Sequence, residues 1–349
     1  MALRVIQWAT GTVGIHAVPA IVAHPELELA GLWVHSDDKV GRDAGEICGI
    51  DPVGITATRD TDELIALGAD AVCYTANSDL RPEGVVDDLC RFLRSGLNVV
   101  NTSFVPLLYP PAAGEGVAER LREAANEGGA SLYTSGIDPG FANAGLAIHA
   151  MALCKEVRTV RMMEIVNYAT WDNPATMFDI MGFGKSDPSE SLLLAGGSLV
   201  LGWGPVVELV AHAMGLELDD VTERFEVAHA EESFDISSGR IEPGGISAIR
   251  FEVAGAVAGS ERVVVEHVTR LRDEDCPHWP QGSGYRILVE GEPHARIDYS
   301  VSSDRGDHNH AGCLATAMAV VNAIPAVVAA EPGVHTMLDL PVHTAAVRR

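Results

Sequence analysis

One stretch near the start constrains the fold more than any other: Arg4-Val5-Ile6-Gln7-Trp8-Ala9-Thr10-Gly11-Thr12-Val13-Gly14. Val5 and Ile6 read as a short buried strand. A turn of small residues follows at once, and Ile15, Val18, Ile21 and Val22 then recur at helical spacing. Strand, small-residue turn and helix form the phosphate-binding start of a Rossmann unit. In the G-x-G-x-x-G pattern Ala9 stands in the first place, and Gly11 and Gly14 hold the second and third. Without a side chain, Gly11 lets a pyrophosphate approach the backbone, and Gly14 lets the helix pack close to the strand. The helix N-terminus offers free N–H groups and a partial positive charge. The stretch predicts dinucleotide binding through Gly11, Thr12, Val13 and Gly14; a plain tight turn is the alternative.

Residues 27–35 read as the next strand. In a dinucleotide fold its tip meets the adenosine ribose about 20 residues after the glycine turn, where an NAD-specific site usually carries Asp or Glu. Here the tip is Val34-His35-Ser36, and Asp37 and Asp38 come slightly late. Ser36 can hydrogen-bond a 2′-phosphate, and Lys39 or Arg42 can neutralise it. The expected cofactor is therefore NADP, with NAD as the alternative. The plain reading leaves Lys39 and Arg42 as loop decoration.

The chain then alternates. Thr61-Asp62-Glu63-Leu64-Ile65 is a capped short helix, 69–74 a strand, 82–95 a helix, 97–102 a strand, 114–128 a helix and 130–134 a strand. Such alternation builds a parallel, doubly wound sheet, and Thr75, Ala76 and Asn77 fall at its carboxyl edge, where ligands bind. From residue 157 the pattern changes to runs rich in Val, Ile, Phe and Tyr at 157–166, 225–228, 246–258, 263–271, 285–290 and 295–300. Helical segments lie near 176–181, 189–201 and 204–214. These runs imply a mainly antiparallel sheet. The expected architecture is α/β. A Rossmann domain spans 1–150, and an α+β domain for substrate and dimer contacts spans 151–312. A C-terminal helix and tail, 313–349, return to the first domain.

The formal net charge of −25 argues against nucleic acid or an anionic membrane as a partner, since both need a basic face. The apolar stretch 315–330 is broken by Asn322 and Pro325, so no membrane span is expected. No secretory signal is expected either. Six scattered cysteines without a C-x-x-C pair fit a cytoplasmic protein with free thiols.

Several spaced motifs bear on the family. They are Ala9-Thr10-Gly11-Thr12-Val13-Gly14, Val40-Gly41-Arg42-Asp43-Ala44-Gly45, Gly136-Ile137-Asp138-Pro139-Gly140-Phe141, Met181-Gly182-Phe183-Gly184, Val321-Asn322-Ala323-Ile324-Pro325 and Asp339-Leu340-Pro341. Together they resemble the dihydrodipicolinate reductase-like oxidoreductases, in the branch of 2,4-diaminopentanoate dehydrogenase and the native amine dehydrogenases. The resemblance implies NAD(P)-dependent hydride transfer at a carbon bearing nitrogen or oxygen in an apolar small molecule. It implies a cofactor over Gly11 to Gly14, Ser36, Thr75 to Asn77 and Asn101, Thr102 and Ser103, with Asn322 near the nicotinamide. One departure stands out. The amine dehydrogenases carry a catalytic glutamate just after the strand ending in Val-Val-x-Thr, but here Asn101-Thr102-Ser103-Phe104-Val105-Pro106 has no carboxylate.

Another group must then supply the proton, and Tyr168, Asp172, Asp138 and His310 are the candidates. The plain readings are a half-buried aromatic for Tyr168, turn residues for Asp138 and Asp172, and an exposed loop histidine for His310. Phe104, Asp138, Phe141, Trp171, Met177 and Met181 are candidates for the substrate pocket; core packing is the alternative for the apolar ones. His308, His310 and Cys313 lack a placed fourth ligand, so no metal is expected. The function expected is NAD(P)H-dependent reduction or oxidation of a carbonyl, imine or amine, by a homodimer. The alternative is a dinucleotide-binding sensor without hydride chemistry.

Overall fold

A computed structural model describes residues 2–77, 82–304 and 308–346. The chain forms two compact units, Met1–Ile137 with Cys313–Arg349, and Asp138–Gly312. The change of unit thus falls at Asp138, where the sequence placed a boundary at 150.

The first unit carries β1 (Leu3–Trp8), β2 (Leu27–Trp33), β3 (Ala57–Thr58), β4 (Ala71–Tyr74), β5 (Asn98–Asn101) and β6 (Ser131–Thr134). Its helices are α1 (Gly14–Ala23), α2 (Ala44–Ile47), α3 (Thr61–Ala66), α4 (Pro82–Arg94) and α5 (Val117–Gly128). A late strand completes the seven-stranded sheet, which runs β6-β5-β4-β1-β2-β3 with Gly333–His335 outside β6; every pair is parallel. Alternation along β1 explains the layers. Val5 faces a core with α1, whereas Ile6 and Trp8 face a second core with α4 and α5.

The second unit opens with α6 (Leu146–Met151) and β7 (Glu156–Asn167), and continues with α7 (Ser198–Ala213) and β8 (Asp220–His229). The hairpin of β9 (Phe234–Ile236) and β10 (Gly239–Ile241) follows, then β11 (Ile246–Val257), β12 (Ser260–Arg270), β13 (Gly284–Glu292) and β14 (Ala295–Tyr299). Its six-stranded sheet has the order β14-β13-β7-β12-β11-β8 and is antiparallel except at β12–β7. The predicted helices near 189–201 and 204–214 are corrected to the single α7. Gly202, Gly204 and Pro205 look like breakers, but packing against β11 and β12 holds the helix through them.

The chain ends through α8 (His308–Val321), α9 (Ile324–Val328) and β15 (Gly333–His335). Residues 308–328 are long and apolar enough to cross a membrane by length and composition, a test that core helices also pass. Here Ala317, Val320, Val321, Ala323, Ile324 and Val327 are buried in the first unit's core with α1.

Candidate functional site

In the first unit a groove of about 380 Å³ lies at the carboxyl ends of β1, β2 and β4, bordered by Ala9, Thr10, Gly11, Ser36, Lys39 and Thr75 to Asn77. Its other wall is aromatic: Trp8 and Trp33 stack with ring centroids 4.6 Å apart and planes 3° apart, and Tyr74 follows at 6.0 Å.

The turn has the geometry that the glycine pattern demands. Ala9 adopts φ +74°, the left-handed conformation that favours glycine, so the backbone keeps the turn although the residue has changed. The buried Gln7 side chain donates to the Ala9 carbonyl at 2.9 Å and to Thr75 Oγ1 at 2.8 Å; Thr75 Oγ1 in turn donates to the Trp8 carbonyl at 3.1 Å. These bonds pin the turn to β4. A Cβ on Gly14 would stand 2.1 Å from the Ala9 oxygen, so only glycine fits there. A Cβ on Gly11 would meet nothing within 4 Å: the turn faces open space on that side. Lys39 Nζ donates to the Thr10 carbonyl at 3.2 Å and to Thr10 Oγ1 at 3.1 Å, which brings a cation to the same turn. Bare backbone, a helix N-terminus and an ammonium group fit the diphosphate of a dinucleotide.

The other expected cofactor residues are placed as follows. Thr12 is exposed and Val13 half-buried beside Gly14. Ser36 is exposed at the head of the turn Asp37–Lys39, and Asp37 is held in an ion pair by Arg59. Arg42 is exposed and does not border the groove. Asn101 stands at the end of β5. It is fully buried, its amide donates to Thr134 Oγ1 at 3.1 Å, and its Oδ1 accepts from the Ser103 backbone at 2.8 Å, so it braces the strand ends. Thr102 and Ser103 follow, half-buried, and Phe104 packs against the α4–α5 core. Asn322 lies half-buried between α8 and α9.

The second unit holds a different kind of site. Strand register aligns Phe251 with His267, His267 with Glu164, Glu164 with Tyr285, and Tyr285 with Tyr299. One transverse row thus crosses five strands on one sheet face. His267 Nδ1 lies 3.2 Å from Glu164 Oε2, and its Nε2 lies 3.4 Å from Asp138 Oδ1. Asp138 Oδ1 also accepts from Asn143 Nδ2 at 2.9 Å and from Trp203 Nε1 at 3.1 Å. Tyr168 donates its hydroxyl to Glu164 Oε2 at 3.0 Å. The side chains of His267, Glu164 and Asp138 are 5, 7 and 2 % exposed. The His267 ring is stacked on Phe251 at 4.6 Å and meets the edge of Trp203 at 4.7 Å.

The electrostatics follow from this packing. Burial alone would discharge His267, but the Asp138 and Glu164 carboxylates outweigh it and raise the imidazole to about 10. Burial would likewise favour neutral Glu164, yet His267, His308 and the Tyr168 hydroxyl hold its carboxyl below the usual range. Tyr285 is pushed up, first by burial and then by the charges of Glu164 and Asp138. The result is an ionised carboxylate in a dry setting, bonded to the hydroxyl of Tyr168, a half-buried residue.

Asp138, a proton-donor and substrate-pocket candidate with a turn residue as its plain alternative, has its side chain buried beside His267. Tyr168 is in the row, and Trp171 packs on it at 5.1 Å. Asp172 is exposed and outside it. His310 is also outside, with Nδ1 3.1 Å from Ser303 Oγ. Met177 and Met181 are buried, and Phe141 is exposed with its ring edge 6.1 Å from Tyr299. Sequence reasoning missed Glu164, His267, Trp203 and Tyr285. The available signal was charge in the middle of apolar strands, Met163-Glu164-Ile165 and Val265-Glu266-His267-Val268.

A parallel sheet ending in an open glycine turn, with a cation against that turn, defines a protein of the dinucleotide-binding Rossmann class. The 2,4-diaminopentanoate dehydrogenase C-terminal domain family matches residues 144–349. An amine dehydrogenase from Streptomyces virginiae is 36 % identical over 352 residues, covering 98 % of this chain and 97 % of that protein. The 2,4-diaminopentanoate dehydrogenase of Acetoanaerobium sticklandii is 25 % identical over 80 % of this chain and 76 % of its own length. Among solved structures, the amine dehydrogenase from Mycobacterium smegmatis superposes with a TM-score of 0.80 at 19 % identity, covering 100 % of this chain and 98 % of that one. The chain belongs to the 2,4-diaminopentanoate dehydrogenase family. It is an oxidoreductase that uses a nicotinamide dinucleotide for hydride transfer at a carbon bearing nitrogen or oxygen of a small molecule. A sensor without hydride chemistry is not favoured, because the full-length similarity is to a dehydrogenase.

Proposed function

We propose that this enzyme interconverts a primary amine and its carbonyl compound, with NADP as the cofactor. The groove of the first unit carries the reading: its glycine turn is bare, and the Lys39 ammonium lies against Thr10. Absence of a carboxylate at the tip of β2 supports NADP over NAD. His35 and Ser36 border the groove there, and Asp37 is engaged by Arg59. The full-length likeness to an amine dehydrogenase supports the amine. When bound, the nicotinamide accepts or supplies the hydride. The protein's residues hold the diphosphate at Gly11 to Gly14, place a cation beside it, and handle the proton that amine chemistry releases.

Titration with NADPH and NADH, followed by fluorescence of the Trp8–Trp33 pair, tests the reading. NADPH is expected to bind more tightly, and Lys39→Ala to weaken NADPH by about tenfold, the loss of one charge-assisted contact. Oxidation of a panel of apolar primary amines with NADP+ then tests the reaction. Equal affinity for the two nucleotides removes the preference for NADP, tighter binding of NADH returns the cofactor to NAD, and alcohol oxidation without amine oxidation overturns the substrate class. A cytoplasmic homodimer is part of the same proposal, checked by light scattering and cell fractionation.

A further inference from the structure

We propose that Arg59 determines the choice of dinucleotide: its guanidinium takes the 2′-phosphate of NADP in exchange for the Asp37 carboxylate with which it is paired. The inference rests on the NADP reading above and deepens it, and it concerns the adenosine side of the groove, within the first unit. Three observations carry it. The first is placement. Parallel pairing sets Leu32 beside Ala57 and Trp33 beside Thr58, and Val34 donates its backbone N–H to the Thr58 carbonyl at 3.0 Å. Arg59, the first residue past β3, therefore stands beside the tip of β2. Trp33, which borders the groove, donates its indole N–H to the Arg59 carbonyl at 3.3 Å and ties the arginine backbone to the groove wall. The second is the partner: the guanidinium is ion-paired with Asp37, the residue directly after Ser36. The third is what the neighbouring cations do. Lys39 is bonded to Thr10 at the glycine turn, and Arg42 is exposed and does not border the groove.

The exchange follows from the strength of the two anions. The Arg59 and Asp37 side chains are 47 and 88 % exposed, and a pair so open to water and salt is weak. A stronger anion displaces the carboxylate. A phosphate monoester is such an anion: it carries nearly two negative charges at neutral pH and offers three acceptor oxygens, which a guanidinium binds in bidentate fashion. The 2′-hydroxyl of NAD is neutral and does not displace Asp37. Asp37 thereby works against NAD, because a carboxylate held by Arg59 is drawn away from the ribose hydroxyls that an acidic residue binds in NAD-specific sites. The remaining charges near Arg59 have other roles or stand in water. Asp60 caps α3, accepting from the Asp62 and Glu63 backbones at 2.9 and 3.0 Å, and Glu63 accepts from the Thr58 hydroxyl at 3.3 Å. Asp38 is exposed beside Asp37, and His35 borders the groove.

The test uses the full chain and two probes that differ by the 2′-phosphate alone, 2′,5′-ADP and 5′-AMP, so that binding is read without turnover. Calorimetry should show the unaltered protein binding 2′,5′-ADP about tenfold or more tightly than 5′-AMP. Arg59→Ala should bring the two within about threefold of each other, and should tighten NADH because Asp37 is released towards the ribose. Asp37→Asn should tighten 2′,5′-ADP by about threefold or more while 5′-AMP is unchanged. Adding Asp37→Asn to Arg59→Ala should remove the gain for NADH, an outcome that a merely structural ion pair does not produce. Both side chains are exposed, so thermal unfolding of each variant should match that of the unaltered protein. A preference for 2′,5′-ADP that survives Arg59→Ala, or weaker 2′,5′-ADP binding in Asp37→Asn, overturns the assignment and leaves the NADP reading standing. Equal binding of the two probes by the unaltered protein overturns that reading and the assignment with it.

Discussion

Ala9 shows how one residue can depart from a pattern while its backbone keeps it. Its φ of +74° costs an L-residue about 1–2 kcal/mol, against about 0.5–1 kcal/mol of extra chain entropy for glycine. Ala9→Gly should therefore stabilise the protein by about 0.5–1 kcal/mol, read by urea unfolding. Gly14→Ala should do the reverse, because a Cβ would lie 2.1 Å from the Ala9 oxygen and 2.6 Å from Thr75 Oγ1. Overpacking of that kind costs about 1–3 kcal/mol, and the turn must shift away from the form that receives a diphosphate. NADPH titration should show binding lost. His267 makes a pH prediction. Its folded value of about 10 lies above the ordinary 6.5, so its contribution to stability is complete below pH 6.5 and is lost as pH rises towards 10. Glu164 is lowered, so its share is present above the ordinary 4.5 and fades as pH falls below it. Thermal unfolding of the protein between pH 7 and 10 should show a decline that His267→Gln lacks.

Among the elements, α7 depends on a partner from another strand. Glu223 of β8 accepts from the Gly197 backbone at 2.6 Å and from Val200 at 2.9 Å, satisfying N–H groups at the helix start that no local side chain caps. Glu223→Ala should cost about 1 kcal/mol, as loss of a helix cap does, measured by chemical denaturation. This cap explains why α7 begins at Ser198 and not near 189 as its apolar pattern suggests. The strands themselves were legible. Runs of β-branched and aromatic residues located β7, β11, β12, β13 and β14 to within a few residues. What those runs did not carry was pairing. Nothing local says that residue 267 lies opposite residue 164, and a shift of one residue would send both side chains to the other face. Glu164 and His267 were thus unreadable as a pair, although both stand in strands that were correctly expected.

For the molecule as a whole, the first unit is assembled from both ends of the chain. Residues 313–349 supply Ala317, Val320, Ile324 and Val327 to its core, each fully buried, and the strand β15 to its sheet edge. A chain ending at Gly312 should therefore fail to bind NADPH and lose its cooperative thermal transition, read by fluorescence and circular dichroism. The distribution of strands and helices in the sequence had separated a parallel half from a mainly antiparallel one. By itself the sequence determined the glycine turn, the cofactor class and the family, because these rest on contiguous residues whose backbone geometry and hydrophobic period are local properties. Only the tertiary structure decided that Asn101 braces two strands, that Asp138 leaves its turn for a buried ion pair, and that Glu164, His267 and Tyr285 form one row. The physical reason is that charge in a strand becomes chemistry only when register removes it from water beside a partner, and register is a property of the whole sheet.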